Sequence, residues 1–260
     1  MNTWFRYILL LVLIIPLSPI LFVQGLIIKK RIAELPEAEG LSGICNQQLA
    51  IEKQMIIFGE STMSGVGILE HKNGFAGILA EELSQKLNIN INWKVYAQRG
   101  YTVHQLSQEI VPQIKEKHLD AIIIGVGGND TFTLRNTIKW RKHVKKLITR
   151  LRLRYDNVPI IFLNIPPIKE FPAFSSLMKL ILGNLSEILG QELKNLVSNM
   201  PNTWLNDSKI QLKNWMNKHH QIKNKNDFFC DGIHPSEITY DLWAKDMSEF
   251  IISKKILQNT

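Results

Sequence analysis

Short apolar segments alternate with longer amphipathic segments along most of the chain. The short segments are predicted to be buried strands, and the longer ones are predicted to be helices with one apolar face. The predicted strands are residues 55–58, 91–97, 121–124, 160–163 and 203–205, and the predicted helices are residues 74–87, 103–117, 134–154, 175–198 and 236–254. This alternation is typical of βαβ units, in which helices cover both faces of a parallel sheet. The pattern therefore predicts a three-layer α/β/α fold with a five-stranded parallel sheet.

The start of the chain has a different pattern. Residues 7–28 contain no charged side chain and only two clearly polar ones, Ser18 and Gln24. A helix of this length rises about 33 Å, which is enough to cross a hydrocarbon core of about 30 Å. We therefore expect residues 1–31 to form a single-pass membrane anchor. A cleaved signal peptide is the alternative, but its apolar region is usually shorter and ends at small residues, which are missing here.

The rest of the chain is long enough for one well-buried domain, which we assign to residues 55–260. Residues 32–54 have mixed polarity and are predicted to be a linker or a wrapping arm. Arg6 precedes the apolar segment and residues 29–31 after it are all basic, which slightly favours a cytoplasmic position for the domain.

The net charge of +8 does not by itself indicate a binding partner. Many of the basic residues lie in the predicted helix 134–154, where they could meet anionic lipid headgroups or simply form a solvated face. The second interpretation is favoured because Trp140, Val144 and Leu147 supply an apolar stripe at helical spacing. Nucleic-acid binding is not expected, since no recognised motif accompanies the charge. Cys45 and Cys230 could form a disulfide or remain free thiols.

One short segment near the end of the chain combines a carboxylate with an imidazole. Asp231 and His234 are separated by two residues in Asp-Gly-Ile-His-Pro, and Ser61 follows the first predicted parallel strand in Phe-Gly-Glu-Ser. A serine hydroxyl is a weak nucleophile, so it needs a base to accept its proton and a third group to orient that base. Asp231 and His234 can hydrogen-bond locally, so the fold has only to bring Ser61 to them. The pattern therefore favours an acyl-transfer enzyme.

Two further segments supply groups that can stabilise an oxyanion. Gly100 lies in Arg-Gly-Tyr-Thr, and Asn129 ends a glycine-rich run that directly follows the predicted strand 121–124. A glycine allows close approach of a backbone N–H, and an asparagine amide donates from its side chain. We predict a structural role for Asp130, which would hold the loop that carries Asn129.

Ser61, Gly100, Asn129 and His234, in this order, resemble the four marker residues of the SGNH (GDSL-type) hydrolase family. The resemblance extends from about residue 55 to residue 243. It implies that Ser61 is the nucleophile, that His234 is the general base and then the acid, and that Asp231 orients His234. It further implies an oxyanion hole formed by the N–H groups of Ser61 and Gly100 and the amide of Asn129. No metal or cofactor is required by this chemistry.

The resemblance also has consequences for fold and location. It implies a flavodoxin-like strand order, in which Ser61 and Asn129 face each other across the crevice at the carboxyl ends of the first and third parallel strands. Glu60 stands where aspartate is usual in the family, which lengthens the carboxylate by one methylene. Family members are often exported, which opposes the slight charge bias toward the cytoplasm, so the side of the membrane stays open.

We therefore expect a serine hydrolase of the esterase or lipase type that acts on small carboxylic esters. One alternative uses the same residues for acyl transfer, or for O-deacetylation of an acylated cell-envelope polysaccharide. Another alternative is a catalytically silent binding module that the N-terminal helix tethers to the membrane.

Overall fold

The computed structural model describes residues 3–32, 34–46, 48–219 and 222–257. Across these ranges, a six-stranded mixed sheet forms the centre of an α/β fold. Its strands are β1 (Ser42–Cys45), β2 (Glu52–Gly59), β3 (Asn90–Ala97), β4 (Ala121–Gly125), β5 (Ile160–Phe162) and β6 (Thr203–Leu205), in the order β1-β3-β2-β4-β5-β6.

Strands β2 to β6 are parallel, as predicted from the apolar segments. The chain moves outward from β2 to β3 and then crosses back to β4 on the other side of β2. This strand order is the flavodoxin-like one, and it leaves a crevice at the carboxyl ends of β2 and β4. The prediction of the fold class is confirmed.

Strand β1 was not predicted, because the segment 32–54 was assigned to a linker or arm. It pairs antiparallel with β3 at the edge of the sheet. Gly43 packs directly on the ring of Trp93, where a Cβ would lie 2.6 Å from a ring carbon. The strand has only four residues, two of which are exposed, so its sequence lacks the apolar run that marks a buried strand.

Helices cover both faces of the sheet. Ile57 and Met55 of β2 face helices α2 (Phe75–Leu87) and α8 (Glu237–Ser253), whereas Ile56 and Phe58 face the opposite helical layer. This alternation follows from the two-residue period of a strand. The opposite layer contains α5 (Thr137–Arg154) and α6 (Ser176–Val197). Short helices α3 (Val103–Gln105), α4 (Gly128–Phe132) and α7 (Leu212–Lys218) lie in the connections.

One predicted helix is shorter and less regular than expected. The segment 103–117 is α3 followed by a π-helical turn over Leu106–Ile110 and a 3₁₀ turn over Val111–Gln113. Pro112 lacks a backbone N–H and cannot continue the α-helical hydrogen-bond ladder. The helical segment therefore ends four residues earlier than the pattern predicted.

The N-terminal apolar segment is the helix α1 (Thr3–Arg31). It packs along α6, with the side chains of Tyr7, Leu10 and Ile14 buried in the core on that side of the sheet. Gln24 accepts a hydrogen bond from Ser175 at 2.9 Å. The helix is long and apolar enough to cross a membrane by length and composition, a test that signal sequences near an N-terminus also satisfy.

Both cysteines are free thiols. Cys45 is buried at the edge strand β1, and Cys230 is exposed in the segment that leads to His234. The disulfide that the sequence left open is not formed in this structure.

Candidate active site

Asp231 and His234 form a compact unit in the turn that precedes α8. Oδ2 of Asp231 lies 2.7 Å from Nδ1 of His234, and Oδ1 accepts the backbone N–H groups of Ile233 and His234. Between them, Gly232 has a φ of +86°, a conformation that strongly favours glycine. When Nδ1–H donates to the carboxylate, Nε2 is left as the proton acceptor.

The electrostatics of this unit favour an ionised carboxylate. Burial on its own would raise the pKa of Asp231, but hydrogen bonds from the side chain and backbone of His234 outweigh it and lower the pKa below its usual value. The side chain of Asp231 is only 3% exposed, whereas that of His234 is 12% exposed. An imidazolium formed on His234 would therefore have a carboxylate counter-ion at hydrogen-bonding distance.

Ser61 lies in the turn that follows β2. The preceding strand residue Gly59 pairs with Gly125, and a Cβ on Gly59 would lie 2.3 Å from the carbonyl oxygen of Gly125. Only glycine therefore allows β2 and β4 to approach so closely at this point. The carbonyl oxygen of Ser61 accepts hydrogen bonds from the hydroxyl of Ser64 and the backbone N–H of Val66, which hold the turn.

Glu60 connects this turn to the loop that carries Asn129. Its carboxylate is buried and accepts the backbone N–H of Gly128 at 2.6 Å and that of Asn129 at 2.9 Å. Burial and the nearby carboxylate of Asp130 raise the pKa of Glu60 to about 8, against the opposing effect of these hydrogen bonds. One carboxylate thus fixes the start of α4 relative to the turn of Ser61.

Asn129 and Asp130 connect the same loop to the segment after β3. The amide Nδ2 of Asn129 donates to the carbonyl oxygen of Tyr101 at 3.0 Å, and Oδ2 of Asp130 accepts the N–H of Val103 at 2.9 Å. Asp130 is fully buried, and burial raises its pKa to about 6. Its contacts agree with the structural role predicted for it. Because Nδ2 carries two hydrogens, the amide of Asn129 retains one further donor.

Ser61, Asn129 and His234 line one pocket at the carboxyl edge of the sheet. Gly100 is not among the described residues that line it. Gly100 is exposed, has a φ of +80°, and is connected to the pocket through the neighbouring Tyr101. The structure thus brings three of the four predicted marker residues together around one cavity. The fourth, Gly100, precedes Tyr101, whose carbonyl oxygen accepts a hydrogen bond from Asn129.

The pocket is small and its walls are mostly apolar. Its volume is about 40 Å³. Large side chains from separate segments of the chain form the walls, among them Phe132, Phe171, Trp215, Phe229 and Trp243. Their convergence is a tertiary effect, because these segments meet only in the folded chain.

Comparison with known proteins decides the family. Residues 57–242 match the model of the GDSL-like lipase/acylhydrolase family. The chain belongs to this family. The match spans more than half of the chain and includes all the predicted site residues, and it makes the protein a carboxylic ester hydrolase of the SGNH type.

Solved structures agree with this fold. A family 3 carbohydrate esterase from Clostridium thermocellum is 16% identical, with a TM-score of 0.58, over 80% of this chain and 98% of that one. A psychrotrophic esterase from Pseudoalteromonas is 14% identical, with a TM-score of 0.55, over 78% of this chain and 98% of that one. A lipolytic G-D-S-L protein from Veillonella parvula is 18% identical, with a TM-score of 0.55, over 75% and 96% of the two chains. The comparison with curated proteins gave no match.

The buried Glu60 predicts a pH dependence of stability. Its folded-state pKa of about 8 lies above the ordinary value of 4.5, so its contribution to stability is fully present below about pH 4.5 and is lost as the pH rises through 8. We expect the free energy of unfolding to fall across this window, by up to about 1.4 kcal/mol per pH unit. Glu60→Gln should make this decline clearly shallower in denaturant titrations.

Glu249→Gln is the control for this prediction, because Glu249 is exposed on α8 and far from Glu60 in sequence. Its pH profile should parallel that of the unmodified chain. An equal decline in all three proteins would contradict the role given to Glu60.

Proposed function

We propose that this chain hydrolyses small carboxylic esters through an acyl-enzyme formed on Ser61. The observation that carries the proposal is the arrangement of one pocket, in which Ser61 and His234 share the lining while Asp231 holds the ring of His234 at 2.7 Å. A nucleophile, a base and an orienting carboxylate are the groups that this chemistry requires.

In the first step, Nε2 of His234 accepts the hydroxyl proton of Ser61 as its oxygen attacks the ester carbonyl carbon. The tetrahedral intermediate collapses when the same proton passes from His234 to the leaving alcohol, which breaks the ester C–O bond. In the second step, a water molecule loses its proton to His234 and attacks the acyl-enzyme. Release of the carboxylic acid then returns the proton to Ser61. Asp231 holds His234 in the required tautomer throughout.

The negative oxygen of each tetrahedral intermediate needs donors that are already in place. The backbone N–H of Ser61 and the second hydrogen on Nδ2 of Asn129 can serve this role, because both residues line the pocket. Family resemblance adds the N–H of Gly100. Glu60 supports the arrangement indirectly, since it fixes the backbone of Asn129.

The N-terminal helix supports a membrane location for this activity. We assign residues 1–31 to a single-pass anchor and the six-stranded sheet with its helices, including the edge strand β1, to the catalytic domain. The length and apolar character of α1 support this assignment. In this arrangement the enzyme meets esters that are themselves at or near the membrane surface.

Ser61→Ala should abolish turnover of a chromogenic acetyl ester, because it removes the nucleophile. His234→Ala should cost about as much, and the double variant should be no worse than either one, since the two groups act as a unit. Ser198→Ala is the control, because this exposed serine ends α6. Additive losses, or full turnover by Ser61→Ala, would contradict the mechanism.

Asn129→Ala should lower kcat by about 100-fold or more with little change in KM, as expected for a donor that acts mainly in the transition state. Asn195→Ala on α6 provides the matched control outside the pocket. Steady-state kinetics on the same acetyl ester measure both parameters. A loss confined to KM would assign Asn129 to substrate binding and remove it from the oxyanion hole.

A further inference from the structure

The segment between α1 and β1 packs along the loop that carries Ser61. We refer to residues 35–41 as the strap and to residues 61–71, which follow β2, as the nucleophile loop. Backbone hydrogen bonds join the two segments. They run from the N–H groups of Ala38, Glu39, Gly67 and His71 to the carbonyl oxygens of Ser64, Leu69, Pro36 and Glu39, respectively, at 2.9–3.4 Å. The strap is therefore attached along much of the nucleophile loop.

Ser64 connects the strap to the nucleophile. Its carbonyl oxygen accepts the N–H of Ala38, and its hydroxyl donates to the carbonyl oxygen of Ser61 at 2.9 Å. The neighbouring Gly65 has a φ of +69°, and a Cβ there would lie 2.6 Å from the Cβ of Ala38. Strap and loop are therefore in direct contact, and a side chain on Gly65 would push them apart.

The nucleophile loop also contacts the segment that carries the catalytic base. A Cβ on Gly67 would lie 2.5 Å from Sγ of Cys230, which is the residue before Asp231. The carbonyl oxygen of Val66 accepts the hydroxyl of Tyr240 at 3.0 Å, and both residues are buried. The position of the loop is therefore fixed jointly by the strap and by the segment around the catalytic base.

Arg99 joins the strap to the segment that carries Gly100. Nη1 of Arg99 donates to the carbonyl oxygen of Leu35 at 2.8 Å. In the part of the chain that the structure describes, its guanidinium group makes no other hydrogen bond or ion pair. Arg99 directly precedes Gly100, whose N–H the family resemblance assigns to the oxyanion hole. The strap therefore contacts the segments of two backbone donors, Ser61 and Gly100.

We propose that the strap is a positioning element of the active site, and that Arg99 is the positioning residue that connects it to Gly100. The assignment rests on the proposed ester hydrolysis at Ser61. The strap sets the distance between the N–H groups of Ser61 and Gly100, which must both reach the same oxyanion. Donors that are already fixed need no reorganisation during the reaction, whereas a misplacement of about 1 Å can cost about 100-fold in rate.

The effect of the strap should appear in kcat and not in KM. Among the described residues that line the catalytic pocket, none belongs to the strap, and Arg99 is not one of them. Loss of a strap contact therefore leaves the pocket walls and the side chains of Ser61 and His234 in place. What changes is the alignment of donors with a charge that exists in the transition state and not in the bound ester.

Arg99→Ala should lower kcat on the chromogenic acetyl ester by about tenfold, with KM changed by less than about twofold. Arg99→Lys should restore most of this loss, because one long basic side chain can replace another where a single hydrogen bond is made. Arg141→Ala is the matched control, since Arg141 is exposed on α5 and pairs with Glu192 at 3.3 Å. Its kcat should equal that of the unmodified chain.

Ala38→Pro tests the strap itself, because proline lacks the N–H that donates to Ser64. We expect a similar loss of kcat. Combined with Arg99→Ala, the loss should be smaller than the product of the two single losses, since both changes release one segment. Glu37→Pro is the control, because Glu37 is exposed and its N–H has no hydrogen-bond partner among the described residues.

The folded fraction of each variant, measured by urea unfolding in the assay buffer, separates positioning from instability. A lower kcat per folded chain in Arg99→Ala, restored by Arg99→Lys, supports the assignment. An unchanged kcat per folded chain overturns it, as does a loss confined to KM, an equal loss in Arg141→Ala, or a lysine variant as slow as the alanine variant. The Arg99 variants decide the question even if Ala38→Pro does not fold.

Failure of the proposed hydrolysis gives a different result. An unmodified chain that cleaves no acetyl ester overturns that hydrolysis and the positioning role with it. An active unmodified chain whose kcat does not respond to Arg99→Ala overturns the positioning role alone.

Discussion

The site depends on one buried carboxylate. Glu60 directly follows β2 and accepts two backbone N–H groups from the loop after β4, so the turn of Ser61 and the position of Asn129 are set together. Strands β2 and β4 end on tightly packed glycines. The side chain of Glu60 extends from the end of β2 to both N–H groups in the loop that follows β4. Burial raises the pKa of this carboxyl group to about 8, so a titrating group adjoins Ser61 in the chain and lines the same pocket. Geometry at the carboxyl edge of the sheet is therefore coupled to the protonation of Glu60.

Much of the fold was predictable because its central strands are buried on both faces and appear as uninterrupted apolar runs, such as 121–124. The strand order was implied by the resemblance to the SGNH hydrolase family, and the positions of Ser61 and Asn129 are consistent with it. The edge strand β1 carries no hydrophobic signal, because two of its four residues are exposed. The helix after Thr102 ends earlier than its apolar pattern predicts, because Pro112 cannot donate a backbone hydrogen bond. Helix α5 begins at Thr137, three residues later than the pattern predicted, because the side chain of Asn136 caps it.

The candidate site was predictable to the extent that it is local. Asp231 and His234 pair across a single turn, so their spacing alone indicated the contact. Glu60 was noted only as a departure from the usual aspartate, because its partners lie almost seventy residues away and no local pattern indicates them. The aromatic walls of the pocket also arise from segments that meet only in the folded chain.

The most direct test of the account is covalent labelling of the intact chain with a fluorophosphonate, followed by peptide mass spectrometry. Such a reagent reacts with a serine whose hydroxyl is activated by a neighbouring base. The account predicts one label per chain on Ser61, and a labelling rate that falls sharply in His234→Ala. Labelling of a different serine, or labelling of Ser61 at the same rate without His234, would contradict the central claim.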